Sequence, residues 1–120
     1  MLKLDDVRIE TEMEIVADVP VVKVTGEIDV YTAPEFKSAV TEAIETGAVS
    51  LIIDLTNVSY MDSSGFGILL GATKRLRPKG GCINLLGCSE AVTRMLSITR
   101  LDTIFGIYRN LEDALAAAKK

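Results

Sequence analysis

The stretch that most constrains this chain is Leu51-Ile52-Ile53-Asp54-Leu55. It is apolar except for one acid near its end, and it shows no alternation that would leave one face wet. Such a run reads as a central strand covered on both faces. A strand of this kind needs helices around it, and the flanking sequence supplies them. Upstream, Thr32-Ala33-Pro34-Glu35 has the form of a helix start. Thr32 is placed to cap, Pro34 sits in the first turn where its missing N–H costs nothing, and Glu35 is placed to close a capping box. Phe36, Ala39, Val40, Ala43 and Ile44 then follow at helical spacing until Gly47. Downstream, residues 56–62 read as a connection, and Ser63-Ser64-Gly65 opens a second helix. Ile68, Leu69, Ala72, Thr73 and Leu76 form its inward face, and Pro78 and Gly80-Gly81 end it.

The remaining segments repeat the alternation. Residues 7–17 read as a strand whose phase slips near Thr11–Glu12, as at a bulge. Asp18-Val19-Pro20 reads as a turn and Val21–Thr25 as a β-branched strand, so the first two strands pair as a hairpin. Gly26 then releases the chain into a loop, Glu27-Ile28-Asp29-Val30-Tyr31. Cys82–Leu86 is the next strand. Ser89 caps a helix over 90–97 with Ala91, Val92, Met95 and Leu96 facing in. Ile104–Tyr108 is a short last strand. Asn110, with Asp113 at the third position, caps a terminal helix carrying Ala114, Leu115 and Ala118. The order β-β-α-β-α-β-α-β-α predicts an α/β fold: one domain over residues 1–120, with a mostly parallel five-stranded sheet, right-handed crossovers and about four helices. Function in an open sheet gathers beyond the C-terminal strand ends. Here those are 26–31, 56–62 and the turn at 87–89.

Composition narrows the chemistry. With 120 residues, 48% of them apolar, the chain buries roughly two thirds of its extended surface and needs no staples. No apolar run approaches the ~20 residues of a membrane span. Met1-Leu2-Lys3-Leu4-Asp5-Asp6 lacks the apolar core of an export signal, so a cytoplasmic location is expected. Thirteen basic against seventeen acidic residues give a charge of −4, which disfavours nucleic acid. The one basic run, Lys74-Arg75 with Arg77 and Lys79, falls where a helix end welcomes cations. Histidine is absent, which removes the commonest general base and metal ligand. Cys82 and Cys88 have no Cys or His partners for zinc and lack Cys-x-x-Cys spacing, so they are expected to be reduced and partly buried.

The informative segment is Tyr60-Met61-Asp62-Ser63-Ser64-Gly65-Phe66-Gly67. It puts two hydroxyls at a helix start, where free N–H groups and the positive dipole end stabilise an anion. A phosphoryl group on Ser63 would gain those donors and bring about two negative charges beside Asp62 and Asp29. That is a local binding switch with no large change of fold. A helix cap formed by Asp62, Ser63 or Ser64 explains the same residues, and the two readings coexist. Phe66 either projects into solvent beside Ser63 or packs against the 26–31 loop. Asp29, Asp54 and Asp62 invite a Mg²⁺ reading, against which Asp54 pairs locally. The glycines at 65, 67 and 71 do not make a dinucleotide site: the third comes one residue late, the loop before them is long, and no acid follows Leu86. A serine hydrolase lacks its histidine, and Lys74 lies about three turns from Ser63.

At these residues the chain resembles the STAS domain, specifically the bacterial anti-sigma factor antagonists. Val24-Thr25-Gly26-Glu27-Ile28-Asp29 is similar to the family's Gly-Glu-Leu/Ile-Asp loop and Leu51–Leu55 to its central strand. Tyr60–Gly67 is similar to its phosphorylation segment, with Phe66 where Leu is usual. The Gly80-Gly81 break and Val92–Leu101 also fit. The resemblance implies a non-enzymatic regulator with no cofactor and no metal. Its unphosphorylated form binds an anti-sigma factor that is also a serine kinase, which frees a sigma factor. Phosphorylation on Ser63, the serine after the aspartate, ends binding, and a serine phosphatase restores it. Partner contact is then expected from Glu27, Asp29, Asp62, Ser64, Gly65 and Phe66, with Ser64 supporting the helix start. Three other readings are a partner-switching circuit aimed at a non-sigma target, a STAS subunit of a membrane transport complex, and a small hydrolase or nucleotide-binding enzyme.

Overall fold

A computed structural model describes residues 9–119. The elements are β1 (Glu10–Val16), β2 (Val19–Ile28), α1 (Ala33–Glu45), β3 (Leu51–Met61), α2 (Ser63–Leu76), β4 (Ile83–Leu86), α3 (Glu90–Ile98), β5 (Gly106–Tyr108) and α4 (Leu111–Ala118). Single 3₁₀ turns lie at Arg77–Lys79 and Leu101–Thr103. The expected order of elements is the order found. One five-stranded sheet runs β1-β2-β3-β4-β5. β1 and β2 are antiparallel, and every later pair is parallel.

Each parallel strand lies beside its predecessor, so every crossover steps the same way. Right-handed crossovers that all step one way place their helices on one face. The burial pattern agrees. Phe36 and Val40 of α1, Leu69 and Leu76 of α2, and Val92 and Leu96 of α3 share a core with Val22, Val24, Ile53, Leu55 and Leu85. α4 covers the other face, where Ala114 and Ala118 meet Val19, Val21, Ile52 and Leu86. Ile52 and Ile53 therefore enter different cores, as the pleat requires of neighbours. This accounts for the unbroken apolar run of β3. α4 packs on β3, β4 and β5. Farther out, Glu10, Glu12 and Glu14 of β1 and Lys23 and Thr25 of β2 stay exposed.

Several local expectations are corrected. β1 has no bulge at Thr11–Glu12: its pairing with β2 is unbroken from Glu10↔Thr25 to Val16↔Val19. Val7 lies outside the described residues. The hairpin turn is Ala17-Asp18, with φ of 50° and 70°, the geometry of a type I′ loop that follows strand twist. Val19 and Pro20 already belong to β2. Neither 26–28 nor 56–61 is a loop. β2 and β3 continue alongside each other through Thr25↔Asn57, Gly26↔Val58, Glu27↔Tyr60 and Ile28↔Met61, with register shifts at Lys23/Thr25 and Gly26/Glu27. Gly26, at φ 122°, supplies the backbone that such an irregularity needs. On α3 only Val92 and Leu96 are buried, while Ala91 and Met95 face out. Ile104 and Phe105 precede β5 rather than starting it.

Candidate functional site

β3 runs directly into α2. Met61 ends the strand, Asp62 is the N-cap and Ser63 is the first helical residue. The Asp62 amide donates to the Ile28 carbonyl at 3.0 Å, which ties the end of β2 to the start of α2 and brings Asp29 beside them. Asp62 Oδ1 accepts from the Ser64 amide at 2.8 Å. The Asp62 carbonyl accepts from the amides of Gly65 and Phe66 at 3.1 and 3.3 Å. Of the three cap candidates Asp62, Ser63 and Ser64, the carboxylate of Asp62 is the cap. The donors of Ser64, Gly65 and Phe66, which a phosphoryl group was expected to recruit, are thus already engaged by Asp62.

The serines differ in access. Ser63 is exposed, whereas Asp62 and Ser64 are half-buried. Gly65 and Phe66 are buried, Phe66 with 4% exposure in the core that also holds Ile28. The solvent-projecting reading of Phe66 is therefore wrong: the side chain is part of the core that seats α2. Gly65 is there for space. A Cβ on it would sit 2.5 Å from Met61 Cγ and 2.8 Å from Ile28 Cγ2, so the glycine lets the helix start descend onto the ends of both strands.

The neighbouring turn between β2 and α1 is closed by its own side chains. Asp29 Oδ1 accepts from the amides of Tyr31 and Thr32 at 2.9 and 3.0 Å. The Thr32 hydroxyl donates to the Glu27 carbonyl at 2.8 Å and accepts from the Asp29 amide at 3.0 Å. Thr32 thus spends its hydroxyl backwards on the turn, and α1 has no side-chain cap, contrary to expectation. The turn leaves Val30 and Tyr31 exposed at 62% and 80%. Tyr60, paired with Glu27, is 48% exposed. All three are exposed on the β2 and β3 ends that the Asp62–Ile28 hydrogen bond joins to the start of α2, where Glu27 is also exposed and Asp29 and Asp62 are half-buried. Sequence reading singled out none of them. Alternation could not find Tyr60, because the inward residues Val58 and Met61 are three apart, and Val30 and Tyr31 lie in a turn where no strand phase applies.

The third expected loop carries no comparable display. Gly87 donates to the Tyr108 carbonyl and Ser89 caps α3. Burial pushes the Cys88 thiol up from 9.0 to about 11, so it is a packed, poorly ionising thiol rather than a nucleophile. Cys82 and Cys88 are both free and partly buried, as expected. Asp54 Oδ1 accepts from the amide and hydroxyl of Thr56 at 3.0 and 2.6 Å, the local pairing weighed against a Mg²⁺ role. Among the described residues, no group of three acidic, cysteine or histidine side chains is placed to hold a metal ion, and no helix is long and apolar enough to cross a membrane.

Comparison with known proteins agrees with this geometry. Residues 10–114 match the STAS domain model. The chain is similar to the anti-sigma-B factor antagonist of Listeria monocytogenes, 45% identical over 74% of this chain and 77% of the relative. It is also similar to the one from Staphylococcus aureus, 37% identical over 76% and 84% respectively. An anti-sigma factor antagonist from Mycobacterium paratuberculosis superimposes with a TM-score of 0.85 at 34% identity, covering 93% of this chain and 95% of that one. With the STAS model matched over residues 10–114 and an exposed serine on a capped helix start at the end of its sheet, the chain belongs to the STAS family of anti-sigma factor antagonists, regulators that act by binding and not by catalysis.

Proposed function

We propose that this chain is the phosphorylation-switched antagonist of a partner-switching circuit, with Ser63 as the acceptor. The unphosphorylated face binds an anti-sigma factor that is also a serine kinase and so releases a sigma factor. A serine phosphatase resets the switch, and the circuit operates in the cytoplasm. The carrying observation is the exposure of Ser63 at the first position of α2 beside a cap that is already formed.

That cap decides the sign of the effect. A phosphoryl group at an open helix start is stabilised by free amides. Here Asp62 holds the amides of Ser64, Gly65 and Phe66. A phosphoryl group on Ser63 therefore brings roughly two charges to a surface bearing Glu27, Asp29 and Asp62 without recruiting those donors. The exposed side chains of Val30, Tyr31 and Tyr60 supply docking area, and the added charge opposes their desolvation. Asp29 and Glu27 contact the partner, Ser64 supports the helix start, and Gly65 and Phe66 act from beneath by seating it.

The test is incubation with the cognate kinase and ATP, followed by intact mass and peptide mapping. One phosphoryl group on Ser63 is expected. Ser63→Ala should bind the kinase and resist modification, and Ser63→Asp should bind about tenfold or more weakly, a loss of ~1.4 kcal/mol. A label on Ser64 alone, or no label, overturns the assignment.

A further inference from the structure

At the end of α2 remote from Ser63 lies a second surface that the switch does not use. α2 has 14 residues, so its ends are about 20 Å apart. Beside its last turns is a shallow groove of about 390 Å³ lined by Leu70, Thr73, Lys74, Arg77, Pro78 and Ile104. Its lining is mainly apolar, and Ile104 is 39% exposed. Lys74 and Arg77, one turn apart, are both exposed. Among the described residues neither forms an ion pair. No acidic residue occurs between Asp62 and Glu90, while Lys74, Arg75, Arg77 and Lys79 fall within six positions. A chain of net charge −4 therefore concentrates positive charge at this one place.

The helix dipole accounts for cations in the last turn. It does not account for an apolar floor left open between them. An apolar strip edged by unpaired cations is complementary to a segment that carries apolar side chains on one face and carboxylates beside them. We propose that this groove docks an acidic amphipathic segment of a partner protein. An apolar side chain of that segment lies over Leu70 and Ile104, and its carboxylates meet Lys74 and Arg77. A polyanion such as RNA is disfavoured by the net negative charge and by the small number of cations. The docking is independent of Ser63.

The probe is a synthetic helical peptide with leucines on one face and glutamates beside them, titrated into the ¹⁵N-labelled full chain. Its counterpart carries lysine for every glutamate. The acidic peptide should shift the amide resonances of Leu70, Thr73, Lys74, Arg77 and Ile104, and added salt should weaken it. Lys74→Glu with Arg77→Glu should cut affinity at least tenfold while Ser63 is still phosphorylated. Ile104→Ser should also weaken binding, which charge alone does not predict. The proposal is overturned by an absent response, by an equal response to the lysine peptide, or by shifts centred on Tyr31 and Tyr60. It is equally overturned if the groove resonances respond to phosphatidylglycerol vesicles and not to the peptide. Sedimentation showing self-association that the double variant abolishes would assign the groove to a second copy and overturn it too.

Discussion

Gly65 and Gly67 stand two positions apart on α2 and meet opposite surroundings. A methyl group at 65 would run into Met61 and Ile28, both buried, whereas one at 67 meets nothing within 4 Å. Alanine at either site gains about 1 kcal/mol of helix propensity. At 67 nothing opposes the gain, so Gly67→Ala should stabilise the fold by up to about 1 kcal/mol. At 65 overpacking of about 1–3 kcal/mol opposes it, so Gly65→Ala should destabilise and displace the turn that carries Ser63. Urea midpoints of the two variants should fall on opposite sides of the parent, and a raised midpoint for Gly65→Ala would refute the packing account. At this scale the sequence was only partly legible. Asp62 and Ser63 could be picked out because a helix start needs a cap and offers free amides, and Gly65 because the segment resembles the family's phosphorylation segment. The depth of Phe66 could not, because its orientation depends on how far α2 sinks onto the ends of β2 and β3, and Gly65 sets that depth.

Among the elements, β2 and β3 read too short toward the site for one physical reason. Strands betray themselves by a period of two, and the register shifts at Lys23/Thr25 and Gly26/Glu27 break that period where the strands extend toward the site. In β3 the buried residues Leu55, Val58 and Met61 come at intervals of three, which resembles neither alternation nor a central run. The helix starts were more legible: Asp62, Ser89 and Asn110 each accept from a backbone amide of the first turn. Thr32 failed as a cap because its hydroxyl is committed to Glu27 and Asp29. The β1–β2 hairpin carries a correctable cost. Its two loop residues, Ala17 and Asp18, both have positive φ, where alanine loses roughly 1–2 kcal/mol relative to its preferred regions. Asn-Gly is the pair that suits this turn. Ala17→Asn with Asp18→Gly should raise stability by about 1 kcal/mol in chemical denaturation and leave the binding of partners at Ser63 unchanged. A lowered midpoint would mean that the loop is not the type I′ turn described.

For the molecule as a whole, the layer architecture was legible because each segment's apolar pattern agrees with its place in the fold. Helices with one apolar stripe, joined by strands that step one way, leave little choice but one covered face. The short α4 then closes the second face over β3, β4 and β5. Patterning conveyed the charges at the two ends of α2 but not the apolar residues left uncovered near them: Val30, Tyr31 and Tyr60 on one side, Leu70 and Ile104 on the other. Both depend on which apolar residues the fold leaves uncovered. Cys88 connects this packing to the stability of the entire fold. Its thiol lies between β4 and α3, packed against the larger core, and burial raises its pKa from 9.0 to about 11. The unfolded chain releases that proton at lower pH than the folded one. The contribution is therefore intact below about pH 9 and is lost as pH rises toward 11. The comparison is with Cys88→Ala, which removes this thiol and leaves every other group in place. The stability difference between parent and variant should be constant up to about pH 8.5 and then shift against the parent as pH rises. The shift is at most about 2–3 kcal/mol, and less for a thiol still partly solvated. With its thiol held largely protonated by burial, Cys88 should be alkylated slowly at about pH 8 until the protein is unfolded. A pH-independent difference, together with rapid alkylation of the native protein at Cys88, would show that the β4–α3 junction is open to water and that the core does not close over it.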